Sequence, residues 1–200
     1  MVPKVKICGI TNIEDALFVA DMGAHAIGFI FYKFSKRYVQ PEKARGIVKK
    51  LPVFVSKVGV FVDNPFEEIM EIKRFVMLDR IQIYDEGLLE RLDPNITIMG
   101  YRIKDEKDIM RAKRSRAFPL LDAFHESLYG GTGLSFDWAL IKDFGRPFIL
   151  AGGINPENIK SALSLKPYAL DIASGCESAP GIKDPKKVAQ VFNILNEKGF

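Results

Sequence analysis

Residues 147–172, PFILAGGINPENIKSALSLKPYALDI, decide how this chain folds. Residues 147–150 form a short apolar run, which reads as a buried strand. Gly152-Gly153 breaks that run. Asn155-Pro156-Glu157 then supplies a helix cap, a first-turn proline and a first-turn acid in that order. A helical pattern follows over 155–165, and a second strand-like run over 168–172. Strand, helix and strand in series is the unit of a parallel sheet.

Working outward, the same alternation fills the chain. Strand-like runs fall at 4–8, 25–31, 54–61, 79–83, 95–101, 118–122, 147–150 and 168–172. Helical patterns lie near 13–23, 41–50, 65–76, 86–92, 105–115, 136–143, 155–165 and 184–197. Pro41, Pro65 and Asp184-Pro185 repeat the first-turn proline device. Eight such units predict closure into a single-domain α/β fold, a (β/α)8 TIM barrel over residues 1–200. An open doubly wound sheet is disfavoured, because no Gly-x-Gly-x-x-Gly follows the first strand.

Bulk properties narrow the function. A hydrophobic content of 48% supports one well-packed core in 200 residues. No apolar run approaches the roughly 18 residues of a membrane span, and no signal peptide precedes the first strand. Two cysteines do not make a disulfide framework, so a reducing, cytoplasmic setting is expected. The net charge of +4 is mild, and the basic run Lys113-Arg114-Ser115-Arg116 ends a predicted helix with no aromatic platform beside it, which argues against nucleic acid. Homo-oligomerisation is left open by the sequence.

A barrel carries its chemistry on the loops after its strands. The unusual residues gather there: Cys8, Ser35-Lys36-Arg37, Asp63-Asn64, Gln82, Asp122, Gly152-Gly153 and Ser174-Gly175. Taken alone, Cys8 would read as a buried structural thiol. Gly152-Gly153 and Ser174-Gly175, with a short extra helix expected over 175–179, match the phosphate cup that barrel enzymes build after strands 7 and 8. A third cluster, Gly130-Gly131-Thr132-Gly133, lies in a long segment of the kind that covers a barrel mouth.

Together these motifs resemble the phosphoribosylanthranilate isomerase family of tryptophan biosynthesis. The resemblance is carried by Lys6-Ile-Cys-Gly-Ile-Thr11, Gly28-Phe-Ile-Phe31 leading to Ser35-Lys-Arg37, Val58-Gly-Val-Phe61, Ile81-Gln82 and Leu120-Leu-Asp122. It continues through Gly130-Gly-Thr-Gly133, Phe136-Asp-Trp138, Leu150-Ala-Gly-Gly153 and Asp171 to Gly175. It implies a barrel of the ribulose-phosphate-binding type and a phosphorylated small-molecule substrate. It further implies an Amadori rearrangement with no cofactor and no metal, with Cys8 as base and Asp122 as acid. Substrate contacts are implied at Arg37, Gln82, Gly131, Gly133, Gly152, Gly153, Ser174 and Gly175.

The two proton-transfer groups have opposite needs. A thiol near pKa 8.5 requires a positive field to become thiolate, and Lys6, two residues before Cys8 on the same strand face, sits roughly 6–7 Å beneath it. An inward lysine needs a partner, and Asp171 on the eighth strand is the expected one. Asp122 must instead be sheltered, or placed near the substrate's own negative charge, to hold a proton. Arg37 is expected to clamp the anthranilate carboxylate in a two-bond fork, with Phe31 and Tyr32 as candidates to flank its ring. The chain departs from the family pattern at Tyr84, where histidine is usual, at Ala123, and at Cys176, read as a small apolar substitute. His25 falls at the wrong end of a strand for a metal-dependent epimerase, and His125 lies in the long segment. The competing readings are a dual-specificity isomerase that also accepts the histidine-pathway precursor and a catalytically silent phosphate-binding barrel.

Overall fold

A computed structural model describes residues 3–122 and 138–197. Eight parallel strands close into a barrel: β1 (Lys4–Cys8), β2 (Ala26–Ile30), β3 (Ser56–Val60), β4 (Arg80–Ile83), β5 (Thr97–Arg102), β6 (Phe118–Asp122), β7 (Ile149–Ala151) and β8 (Ala169–Ile172). Helices α1 (Ile13–Asp21), α2 (Pro41–Val48), α3 (Phe66–Val76), α4 (Glu106–Arg114), α5 (Ile159–Ser164) and α6 (Pro185–Glu197) connect or follow them. The eight barrel strands and the helices come in the predicted order, with two of the predicted helices reduced to shorter turns and an unpredicted hairpin between β8 and α6.

Local chemistry sets the helix starts. Asn12 accepts from the Asp15 amide at 2.8 Å and donates to the Asp15 carboxylate, a reciprocal cap that begins α1 directly after the Cys8 turn. Asn155 accepts from the amides of Glu157 and Asn158, as its cap position predicts, and the regular helix begins only at Ile159. The helix expected over 86–92 is a single 3-10 turn, Glu86–Leu88, because Asp85 folds back onto the Gly87 amide and draws the backbone into a tight turn. The pattern at 136–143 yields a 3-10 turn over Trp138–Ile141, and residues 136 and 137 lie outside the described residues.

Beyond β8 the expected short helix over 175–179 is displaced. A 3-10 turn spans Ser174–Cys176, and Glu177–Ala179 is strand β9, paired antiparallel with β10 (Ile182–Lys183). Phe54, read as the first residue of the third strand, lies outside β3 and is 97% exposed.

Neighbouring residues of a parallel sheet face the same way, so the register defines the barrel interior. Lys4, Lys6 and Cys8 stand beside Ala169, Asp171 and Gly28. Val58, Ile98, Leu120, Ile149 and Ala169 fill the lower barrel with apolar volume, and the opposite strand faces pack on the helices. On the same inner face Lys6, Gln82 and Asp171 stand towards the carboxyl-terminal mouth, while Lys4 and Arg80 begin their strands at the opposite end.

Candidate active site

The interior beneath the mouth holds a polar chain. Lys6 is 3% exposed; its Nζ donates to Asp171 Oδ2 and to Gln82 Oε1, each at 2.8 Å. Gln82, also buried, donates from Nε2 to the Tyr84 hydroxyl at 3.1 Å. The expected Lys6–Asp171 pair therefore forms, because closure of the barrel makes them direct neighbours in register. Burial alone would lower the Lys6 pKa, but Asp171 and Cys8 outweigh it and raise it, so Lys6 remains an ammonium.

Cys8 ends β1 and is 5% exposed. Room for its thiol comes from Gly28 on β2: a Cβ there would lie 2.7 Å from Cys8 Sγ and 3.0 Å from Lys6 Cε. Burial raises the thiol pKa, and the opposing fields of Lys6 and Lys183 do not fully offset it. The positive field expected beneath the thiol is present, but desolvation wins. Asp122 ends β6, half-buried, and its carboxyl is raised to about 6, first by burial and then by Asp171, against the pull of Arg102 and Lys6. These surroundings favour the protonated carboxyl.

Arg37 sits at the mouth near the β1 loop. Gly9, at φ +76°, makes way for it, since a Cβ at Gly9 would lie 2.7 Å from Arg37 Cδ. The guanidinium is held along one edge by Glu177, with Nη2 to Oε2 at 2.7 Å and Nε to Oε1 at 2.9 Å. Glu177 also accepts from Lys183 Nζ at 2.9 Å. Glu177 and Lys183 had no role in the sequence reading. They join Arg37 across 140 residues or more, and no local pattern signals such a contact.

The two glycine loops meet. Gly152 and Gly153 have φ of +92° and +66°, and Gly175 packs so closely on the Ile154 carbonyl that no side chain fits between them. Ser174 is exposed at the start of its turn, beside these glycines. Gly131 and Gly133 lie outside the described residues, as do Ala123 and His125. Phe31 is core, 1% exposed and stacked on Phe61 at 5.3 Å, so it does not flank the mouth. His25 accepts from the Val5 amide at the far end of the barrel. Cys176 is fully buried, its thiol pushed up to about 11 by desolvation, in line with an apolar role.

Chemistry gathered at the carboxyl-terminal rim of a closed (β/α)8 barrel is the arrangement of the barrel enzymes, and this chain is one of them. Residues 5–194 match the family described as N-(5'phosphoribosyl)anthranilate (PRA) isomerase. The chain is 44% identical to N-(5'-phosphoribosyl)anthranilate isomerase of Thermotoga petrophila, over 98% of this chain and 99% of that one. It is 43% identical to the same enzyme of Geobacter metallireducens, over 94% and 96%. The crystal structure of phosphoribosyl anthranilate isomerase from Thermotoga maritima superposes with a TM-score of 0.88 at 42% identity, covering 99% of this chain and all of that one (100%). A phosphoribosyl anthranilate isomerase solved with reduced 1-(o-carboxyphenylamino)-1-deoxyribulose 5-phosphate superposes at 0.83, with 40% identity and coverage of 99% and 100%. The chain belongs to the N-(5'-phosphoribosyl)anthranilate isomerase family.

Proposed function

We propose that this chain, acting as one barrel domain in the cytoplasm, converts N-(5'-phosphoribosyl)anthranilate to 1-(2-carboxyphenylamino)-1-deoxyribulose 5-phosphate in tryptophan biosynthesis. Asp122 gives its proton to the furanose ring oxygen; the C1–O bond breaks, and the nitrogen lone pair forms the C1=N iminium. Cys8, as thiolate, takes the C2 proton, and the C–H electron pair forms C1=C2 while neutralising the nitrogen. Tautomerisation of this enaminol gives the ketose. Hydrogen and electrons are redistributed within one molecule, so the equation balances without a redox partner.

The observation that carries this reading is a carboxyl lifted by burial and a thiol set above a buried lysine, both at one rim. Asp122 is lifted to about 6 and holds a proton far more readily than an exposed aspartate. Cys8 has Lys6 beneath it and Lys183 nearby, and the cationic iminium adds the positive charge that burial otherwise outweighs. The amides of Gly152, Gly153, Ser174 and Gly175 cradle the phosphate, and family membership implies further substrate contacts at Gly131 and Gly133. Arg37 keeps its outer N–H edge for the carboxylate, since Glu177 holds only the Nε side. Gln82 acts from below, fixing Lys6 and Tyr84 under the substrate.

The test is loss of substrate fluorescence with purified protein, coupled to the next synthase. A flat trace with wild type overturns the assignment. Comparable turnover of the histidine-pathway precursor would establish the dual-specificity enzyme instead.

A further inference from the structure

The end of β4 and the adjacent strands β5 and β6 set one file of residues on the inner face of the mouth. A Cβ at Gly100 on β5 would lie 2.5 Å from Cε1 of Tyr84, so the tyrosine ring occupies the space that any side chain at 100 would need. Arg102, two residues along the same strand face, holds its guanidinium carbon 5.8 Å from the centroid of that ring. Arg102 is also the direct β5 partner of Asp122 on β6. Tyr84, Gly100 and Arg102 line a cleft of about 480 Å³ at this rim. Arg111 in the same cleft is neutralised by Glu86 at 2.7 Å and Asp108 at 3.1 Å, which leaves Arg102 as the guanidinium set against the acid.

We infer that Arg102, carried on the Tyr84 ring, is a positioning residue that steadies the carboxylate Asp122 becomes after giving its proton to the sugar. The inference rests on the acid assignment proposed above. Among the described residues, Asp122 is faced by Asp171 from β8, Lys6 from β1, Tyr84 after β4 and Arg102 from β5, while β7 sets Ala151 beside it. Burial and Asp171 favour the neutral acid; Arg102, ahead of Lys6, favours the carboxylate. Without Arg102 the acid would hold its proton too tightly and leave a poorly solvated anion behind. Tyr84 also gains a role in this arrangement. A neutral ring supports an arginine, whereas a histidine there could itself become charged and repel it.

The test is the pH profile of kcat/KM for wild type, Arg102→Gln, Arg102→Lys and Asp122→Asn. When the acid titrates below the base, the rate is level between the two pKa values and falls on either side, so the lower inflection reports Asp122. Arg102→Gln should move that inflection to higher pH, by about half a unit or more, and Arg102→Lys should restore it. An inflection unmoved in Arg102→Gln, with Asp122→Asn inactive, overturns this role and leaves the acid assignment intact. Turnover close to wild type in Asp122→Asn removes the acid, and the role of Arg102 with it. Circular dichroism of each variant separates these outcomes from misfolding, and Arg102→Met supplies a second neutral variant.

Discussion

The Lys183 ammonium donates to the carbonyl oxygen of Cys8 at 2.6 Å, from a side chain with no solvent exposure. The same nitrogen bonds Glu177, which grips Arg37, so one buried set of charges ties the thiol's backbone to the proposed carboxylate clamp. The β9–β10 hairpin that supplies Lys183 and Glu177 therefore completes the mouth from outside the barrel proper.

Lys183→Met removes one partner of a buried pair and leaves Glu177 and the Cys8 carbonyl short of a donor. The expected loss is about 3 kcal/mol of folding stability, read from urea unfolding, together with a raised KM as Arg37 loses its support. Unchanged stability would mean that water replaces the ammonium at no cost.

Cys8→Ser and Asp122→Asn should each lower kcat by about 10²–10⁴-fold with modest change in KM, since each removes a proposed proton-transfer group. Arg37→Ala should do the reverse, raising KM far more than it lowers kcat. Steady-state kinetics by fluorescence separates the two patterns, and wild-type-like turnover in Cys8→Ser would take the thiolate out of the mechanism.

The sheltering of Asp122 carries a stability cost with a definite sign. Its folded pKa of about 6 lies above that of the unfolded chain, so the folded state binds the extra proton. The cost is absent below about pH 4, grows as pH rises from there towards 6, and is complete above it. Asp122→Asn should therefore be more stable than wild type by about 1–2 kcal/mol at pH 7 and no more stable at pH 3.5. Thermal unfolding at the two pH values checks this, and a gain that persists at the lower pH would place its origin elsewhere.

Gly28→Ala should depress activity strongly, because the new methyl group would sit 2.7 Å from Cys8 Sγ and displace the thiol. Gly46→Ala is the control: it lies in α2 with nothing within 4 Å of the added atom. That change should add roughly 0.5–1 kcal/mol of stability through helix propensity and leave kinetics alone. Equal kinetics in both variants would show that the thiol tolerates displacement.

Much of this protein was legible along the chain because its signals are local. Short apolar runs, Pro and Asn start signals and glycine turns depend on neighbours a few residues apart, and they yielded eight strands in the right order. Strand parity even placed Lys6 under Cys8, and closure then made Asp171 its neighbour. Where a short pattern had to choose between an α-helix and a tighter turn, as at Glu86–Leu88, Asp85 and Gly87 decided for the turn.

By itself, then, the sequence determined the barrel, the order of its strands and the shared face of Lys6 and Cys8, since these follow from apolar runs, strand parity and turn chemistry. Only the tertiary structure decided how those residues are charged and held. Burial outweighs Lys6 and Lys183 at Cys8, Asp171 helps lift Asp122, and Glu177 and Lys183 join Arg37 to the thiol loop across 140 and 175 residues. Desolvation and through-space charge depend on what the fold brings together in three dimensions, and residue spacing along a chain carries no record of that.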